Sequence, residues 1–167
     1  MASARPPFRA EHVGSLLRPA DLKSAFNLFQ GGRLAPAAYE QVMARAIKHA
    51  VDLQEKVGLQ SITDGEFGRG SWFGFFFERM DGFRLEPSAF KFKDEQGGAY
   101  EWPTCMACER MSRRASITGA EFKRLKAMTK RTAKMTMPAP SAFHFFRFHE
   151  PVDSTVYPDI EAYWDDL

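Results

Sequence analysis

Two carboxylates, an arginine and two glycines stand together at Asp64-Gly65-Glu66-Phe67-Gly68-Arg69, the stretch best suited to hold something small and charged. A carboxylate such as Glu66 can accept hydrogen bonds from an ammonium group, Asp64 and Arg69 can add polar contacts, and glycines let backbone approach a ligand. A polar turn without a ligand is the competing reading. Val13-Gly14-Ser15 offers main-chain N–H groups and a hydroxyl, a set suited to a small carboxylate, although a Gly-Ser pair also serves as a plain structural turn. His12 is a further polar contact, against the alternative of a packed or solvated histidine. Used differently, Asp64 and Glu66 would make an acid and base pair.

Other polar clusters carry less. Cys105-Met106-Ala107-Cys108 has the spacing of half a zinc site or a redox pair, but no second Cys or His pair stands at suitable spacing. It also falls in an expected strand, whose alternation turns the two thiols to opposite faces. His144 and His149 sit among aromatics beside a proline-bounded turn and read as packing. No nucleophilic triad can be assembled. No residue is assigned as catalytic, and none as a metal ligand.

The elements that would position these residues alternate. Glu11 to Ser15 reads as a short extended segment ending at the Gly-Ser turn. Pro19-Ala20-Asp21 opens a helix with Leu22, Ala25, Phe26 and Phe29 at helical spacing, and Gly31-Gly32 stops it. Pro36 opens the clearest helix, with an apolar stripe of Tyr39, Val42, Met43, Ala46, Ile47, Ala50, Val51 and Val57, and Gly58 ends it. Leu59 to Thr63 is a strand, with Asp64-Gly65-Glu66 at its carboxyl end. A helical or irregular stretch then runs through Phe77 and ends near Asp81-Gly82.

Beyond it, residues Phe83 to Tyr100 form an excursion with Gly97-Gly98 at its tip, and Thr104 to Met111 a strand. Thr118-Gly119-Ala120-Glu121 has the form of a capping box and opens a helix to about Thr129. Lys134 to Met137 is a strand closed by Pro138-Ala139-Pro140, and Pro158-Asp159-Ile160-Glu161 opens a last helix.

Strands followed by charged turns and helices predict an α/β protein, its strands parallel and its helices outside. Ligand sites in such sheets gather at the carboxyl ends of strands, where Gly14-Ser15 and Asp64-Gly65-Glu66 both fall. No Gly-x-Gly-x-x-Gly follows the first strand and there is no phosphate loop, so a TIM (β/α)8 barrel is preferred over a doubly wound sheet. A whole barrel takes about 250 residues. The 167 residues, ending just after a helix, therefore read as a single incomplete domain, 1–167, a partial barrel truncated after roughly its first half.

Composition narrows the classes. With 44% hydrophobic and 26% charged residues, the chain reads as an ordinary globular domain. The 16 phenylalanines cluster in Phe73-Gly74-Phe75-Phe76-Phe77 and Phe143-His144-Phe145-Phe146-Arg147-Phe148, which points to core or subunit contact. A net charge of +2 with dispersed Lys and Arg argues against a nucleic-acid partner. No run of 18 apolar residues suggests a membrane partner, and Met1 to Pro7 lacks an apolar leader. Two cysteines do not make a secreted disulfide framework, so a reducing cytoplasm is expected.

Read together, His12-Val13-Gly14-Ser15-Leu16-Leu17-Arg18-Pro19 and Gly58-Leu59-Gln60-Ser61-Ile62-Thr63-Asp64-Gly65-Glu66 resemble the cobalamin-independent methionine synthase family, in its C-terminal catalytic barrel and shorter single-barrel relatives. The helix between them, the Trp72 to Phe77 aromatic run, Asp81-Gly82-Phe83 and Thr136-Met137-Pro138-Ala139-Pro140-Ser141 match in order. The resemblance implies a zinc-dependent transfer of a methyl group from a folate donor to a homocysteine-like thiol. By position, Val13, Gly14 and Ser15 would meet the amino-acid carboxylate and Glu66 its ammonium group, with His12, Asp64 and Arg69 as further polar contacts.

The family's zinc ligands, a His-x-Cys pair, a later acid and a later cysteine, belong to the second half of the barrel. The resemblance therefore implies no zinc held by this chain alone, and an inactive fragment. Asp64 stands where the synthases proper carry histidine, so the thiol itself is open. The rival reading is a non-catalytic partial barrel that pairs with a separate second half, or with itself, through exposed sheet edges.

Overall fold

A computed structural model describes residues 11–101, 103–145 and 152–167. The reading of Met1 to Pro7, the Phe146-Arg147-Phe148 end of the second aromatic run and His149 lie outside the described residues. In chain order the elements are α1 (Ala20–Gln30), α2 (Pro36–Lys56), β1 (Ser61–Ile62), α3 (Gly74–Phe77), β2 (Met80–Pro87), β3 (Phe92–Lys93) and β4 (Ala99–Tyr100). There follow β5 (Pro103–Arg113), α4 (Gly119–Met128), β6 (Thr132–Ala133), α5 (Pro140–Phe145) and α6 (Ile160–Asp166). They gather into two compact units, one drawn from Met1–Gly70 and Thr118–Thr136, the other from Ser71–Ile117 and Met137–Leu167.

In the first unit, α1 and α2 end as their glycines require. Gly32 takes φ 67°, with Gly32 N–H bonded to Phe29 O and Arg33 N–H to Leu28 O. Gly58 takes φ 92°, with Gly58 N–H on Glu55 O and Leu59 N–H on Gln54 O. Each pair of bonds satisfies carbonyls that the last helical turn leaves open. The α2 stripe buries Tyr39, Met43, Ala46, Ile47, Ala50 and Val51 against Leu22 and Ala25 of α1, Ile62 of β1 and Leu125 of α4. Val57 departs from the expected stripe, being exposed beyond the last turn.

Three expected strands differ in this unit, and the one expected over Leu59 to Thr63 shortens to Ser61–Ile62. Glu11 to Ser15 takes no regular secondary structure and joins no ladder among the described residues; it is tied instead to the residue after β1, where the Thr63 hydroxyl donates to Gly14 O at 2.8 Å. The strand expected at Lys134 to Met137 forms two residues earlier, as β6. It pairs with β1 in parallel, Ser61 with Thr132 and Ile62 with Ala133.

The second unit corrects the expectation of parallel strands throughout. β2 and β5 form a long antiparallel ribbon, and β3 pairs antiparallel with β4 below the Gly97-Gly98 tip. Among the described residues no helix lies between β2 and β5, and a chain that simply reverses can return only as an antiparallel partner. Asp81-Gly82 is likewise a bulge inside β2, not the end of an element. Gly82 has φ 94°, and a Cβ there would meet Glu109 O at 2.9 Å and Arg110 O at 2.8 Å, so the bulge requires glycine.

The aromatic runs do form core. Phe76, Phe143 and Cys105 pack together, with the Phe76 and Phe143 ring centroids 4.7 Å apart. A second cluster joins Ala107, Tyr157 and Tyr163. There Tyr157 accepts from Met111 N–H at 3.0 Å and donates to Asp166 Oδ2 at 2.9 Å, and burial pushes the Tyr163 phenol well above its ordinary range.

Candidate functional site

The loop after β1 turns sharply at its carboxyl end. Gly65 and Glu66 take φ 71° and 59°, two successive left-handed residues of which the second is not glycine. Asp64 makes this turn: its Oδ1 accepts the Glu66 N–H at 2.9 Å. The Gly65 carbonyl in turn accepts the Leu16 N–H at 3.1 Å, so the two expected site segments are joined through their main chains.

Their side-chain faces meet as well. A Cβ at Gly14 would lie 3.2 Å from Glu66 Oε1 and would collide with Thr136 Cγ2. Gly14 therefore has no room for any other residue, and its Cα faces the Glu66 carboxylate directly.

The buried Glu66 carboxylate is held by a fixed frame. Thr136 donates its hydroxyl to Oε1 at 2.6 Å, and Arg69 Nη1 stands 3.9 Å from the same oxygen. Arg69, with a side chain 1% exposed, donates from Nη1 to Thr136 Oγ1 at 2.9 Å and from Nη2 to Thr136 O at 3.0 Å. Its Nε and Nη2 both reach Glu121 Oε2, at 3.1 and 2.8 Å. Glu66 Oε2 has no hydrogen-bond partner among the described residues. That leaves one carboxylate oxygen oriented but unused.

Below the turn, Gln54 of α2 locks the strand end. Its Nε2 donates to Ala50 O and Thr63 O, and its Oε1 accepts from Thr63 N–H and from His12 Nε2 at 2.8 Å. Since Oε1 can only accept, His12 carries its proton on Nε2, and its buried Nδ1 lacks a partner among the described residues.

Burial pushes the Asp64 carboxyl above the usual carboxylate range. The Glu66 N–H bond opposes this, while the charges of Glu121 and Glu66 add to it and that of Arg69 lowers it.

The four expected substrate-binding residues and the three expected polar contacts thus all lie within this one unit, but in different roles. Gly14 and Glu66 face each other, and Ser15 beside them is exposed, its N–H and hydroxyl without partners among the described residues. Val13 is 84% exposed and contributes no side-chain contact to the frame. His12 and Asp64 support the turn, and Arg69 supports Glu66.

Sequence reasoning passed over Gln54, Thr63 and the pairing of Glu121. Gln54 carried a readable signal, a polar residue continuing the Ala50, Val51 stripe of α2. In sequence Glu121 has the place of the second half of a capping box. In the structure Thr118 makes no side-chain cap, and the carboxylate turns to Arg69 instead. A buried guanidinium needs an anion more than an exposed helix end needs a second cap.

Cys105 is buried, and Cys108 donates weakly to Gly82 O at 3.6 Å. Among the described residues no three His, Cys, Asp or Glu side chains lie together as a metal site. No described helix is long and apolar enough to cross a membrane.

A family model described as the catalytic domain of the cobalamin-independent synthases matches residues 8–146. The chain belongs to the cobalamin-independent methionine synthase family. It is similar to two Bacillus subtilis proteins named as uncharacterized, YxjH (30% identical, over 98% of this chain and 42% of that protein) and YxjG (32%, over 84% and 37%). It also resembles a 5-methyltetrahydropteroyltriglutamate–homocysteine methyltransferase of Halalkalibacterium halodurans, 34% identical over 42% of the chain and 9% of that protein.

Among solved structures, a Listeria monocytogenes protein provisionally assigned as a vitamin-B12-independent methionine synthase superposes with a TM-score of 0.72 at 28% identity. The match covers 98% of this chain and 46% of that one. A B12-independent methionine synthase from Shewanella, solved with selenomethionine, shares the fold at a TM-score of 0.59 and 18% identity, over 80% and 37%. The chain thus spans less than half the length of YxjH, YxjG and both solved relatives.

Proposed function

We propose that this chain is the amino-acid-binding part of a methionine-synthase-like S-methyltransferase barrel, and that Gly14, Ser15 and Glu66 hold the amino-acid end of a homocysteine-like thiol. The observation that carries the reading is the frame around Glu66: one oxygen fixed by Thr136, the other without a partner among the described residues, and Gly14 facing the carboxylate across a gap no side chain could share. An α-ammonium group would bond to Glu66 Oε2, and the Ser15 N–H and hydroxyl would donate to the α-carboxylate. Both are charge-assisted contacts, roughly twice as strong as neutral ones. The main chain of Val13 borders the same turn.

Family membership also supports a partial barrel as a single domain. β1 and β6 make a parallel sheet of only two strands among the described residues, and parallel sheets are ordinarily covered and extended on both sides. Further strands from another part of a longer chain, from a second polypeptide or from a second copy would complete it. The resemblance brings zinc and a folate methyl donor with it. The described residues do not fit a zinc site, so no step of the transfer is assigned to a metal here, and methyl transfer by this chain alone is not expected.

Titration calorimetry tests the binding claim. L-methionine and L-homocysteine should bind saturably, whereas N-acetyl-L-methionine, which lacks the ammonium charge, and L-methionine methyl ester, which lacks the carboxylate, should each bind at least about tenfold more weakly. Equal binding of all four ligands would remove the proposed roles of Glu66 and Ser15.

A further inference from the structure

The face of α1 that points away from the core ends at a small cavity of about 260 Å³, lined by Arg18, Lys23, Phe26, Asn27, Arg69 and Gly70. Among the described residues no carboxylate lines it. Arg18 is fixed there by Nη2, which donates to Glu66 O at 3.0 Å and Arg69 O at 2.5 Å. Those acceptors are main-chain carbonyls, so the guanidinium charge is oriented without being neutralised. Its Nε and Nη1 have no partner among the described residues.

Lys23 and Asn27 lie one turn apart on α1, which brings their side chains to the same face. Neither side chain has a hydrogen-bond or ion-pair partner among the described residues. The nearest acid in sequence, Asp21, is turned to the helix end, where Oδ1 accepts Leu22 N–H at 2.9 Å. Arg69 adds no free charge, being paired with Glu121.

We propose that this cavity binds a small oxyanion, a phosphate or carboxylate group of a metabolite, through Arg18, Lys23 and Asn27, with the Phe26 ring as an apolar wall. Two unneutralised cations and a primary amide converge on a volume that fits one such group, and the planar guanidinium is already held in place, so little ordering remains to be done on binding. The site is distinct from the Glu66 carboxylate, and the inference does not rest on the amino-acid reading. The two are linked mechanically, because Arg18 grips the main-chain carbonyl of Glu66 itself.

Calorimetric titration of the intact chain with inorganic phosphate and, separately, with succinate tests this, with ionic strength held constant by sodium chloride. Saturable binding of either ion is expected, weakened about tenfold by Lys23→Glu and measurably by Asn27→Leu. Both positions are exposed, so circular dichroism should show both variants folded. Stronger binding of phosphate would identify a phosphoryl ligand, and stronger binding of succinate a carboxylate; either supports the site. Absence of saturable binding by both ions, or unchanged binding in both folded variants, would overturn it.

Discussion

Glu66 holds φ 59°, a left-handed conformation that costs a non-glycine residue about 1–2 kcal/mol. Several bonds over-determine it: Asp64 accepts its N–H, Arg18 donates to its carbonyl, and Thr136 donates to its carboxylate. Strain held in this way marks a residue whose position matters more than its local comfort. Gly14 is the complementary case, since its lack of a side chain makes the approach possible. Gly14→Ala should cost about 1–3 kcal/mol of stability, because the added methyl collides with Thr136 Cγ2. Urea denaturation would measure it, and a cost near zero would mean the two segments are farther apart than described.

Asp64 gives a prediction with a sign. Its carboxyl titrates higher in the folded chain than in the unfolded one, chiefly through burial. Ionisation therefore penalises the folded state, and this penalty grows as pH rises from the unfolded value, about 3.9, through the raised folded value. Asp64→Asn keeps an oxygen for the Glu66 N–H and removes the charge. It should be more stable than the parent chain at pH 7, with a difference that shrinks as pH falls towards 4. A difference independent of pH would show that charge burial is not its source.

At the scale of elements, what the sequence revealed depended on length and on which partner won each polar group. α1 and α2 were legible because apolar periodicity, an opening proline and a closing glycine agreed. The two-residue strands β1 and β6 carry too little pattern to fix their bounds, and the antiparallel ribbon was hidden because its pairing is decided across the chain. The capping box failed for a local reason, the recruitment of Glu121 by Arg69. Two substitutions separate these roles. Thr118→Ala should cost under about 0.5 kcal/mol, less than the ~1 kcal/mol of a working cap. Glu121→Gln should cost about 3 kcal/mol, at the lower edge for a buried pair, since Glu121 remains 18% exposed. Thermal or urea unfolding gives both values, and a reversed order would restore the capping role.

For the whole molecule, the candidate site was more legible than the architecture. Gly14, Ser15 and Glu66 stood out because small, polar and acidic residues followed expected strands, and the fold brings Gly14 and Glu66 face to face. Thr136 entered only through family resemblance, because a lone threonine has no pattern of its own. The bonds that fix Glu66 and its frame join residues 48 to 70 positions apart in sequence, a distance over which local patterns say nothing.

The central claim, that residue 14 and residue 66 serve one amino-acid-sized ligand, is tested most directly by amide chemical shifts recorded during an L-methionine titration. The account predicts that the Gly14, Ser15 and Glu66 amides shift together along a single saturation curve, and that Glu66→Gln, still folded, loses all three shifts at the same ligand concentrations. Shifts confined to one segment, or a full response in Glu66→Gln, would contradict it.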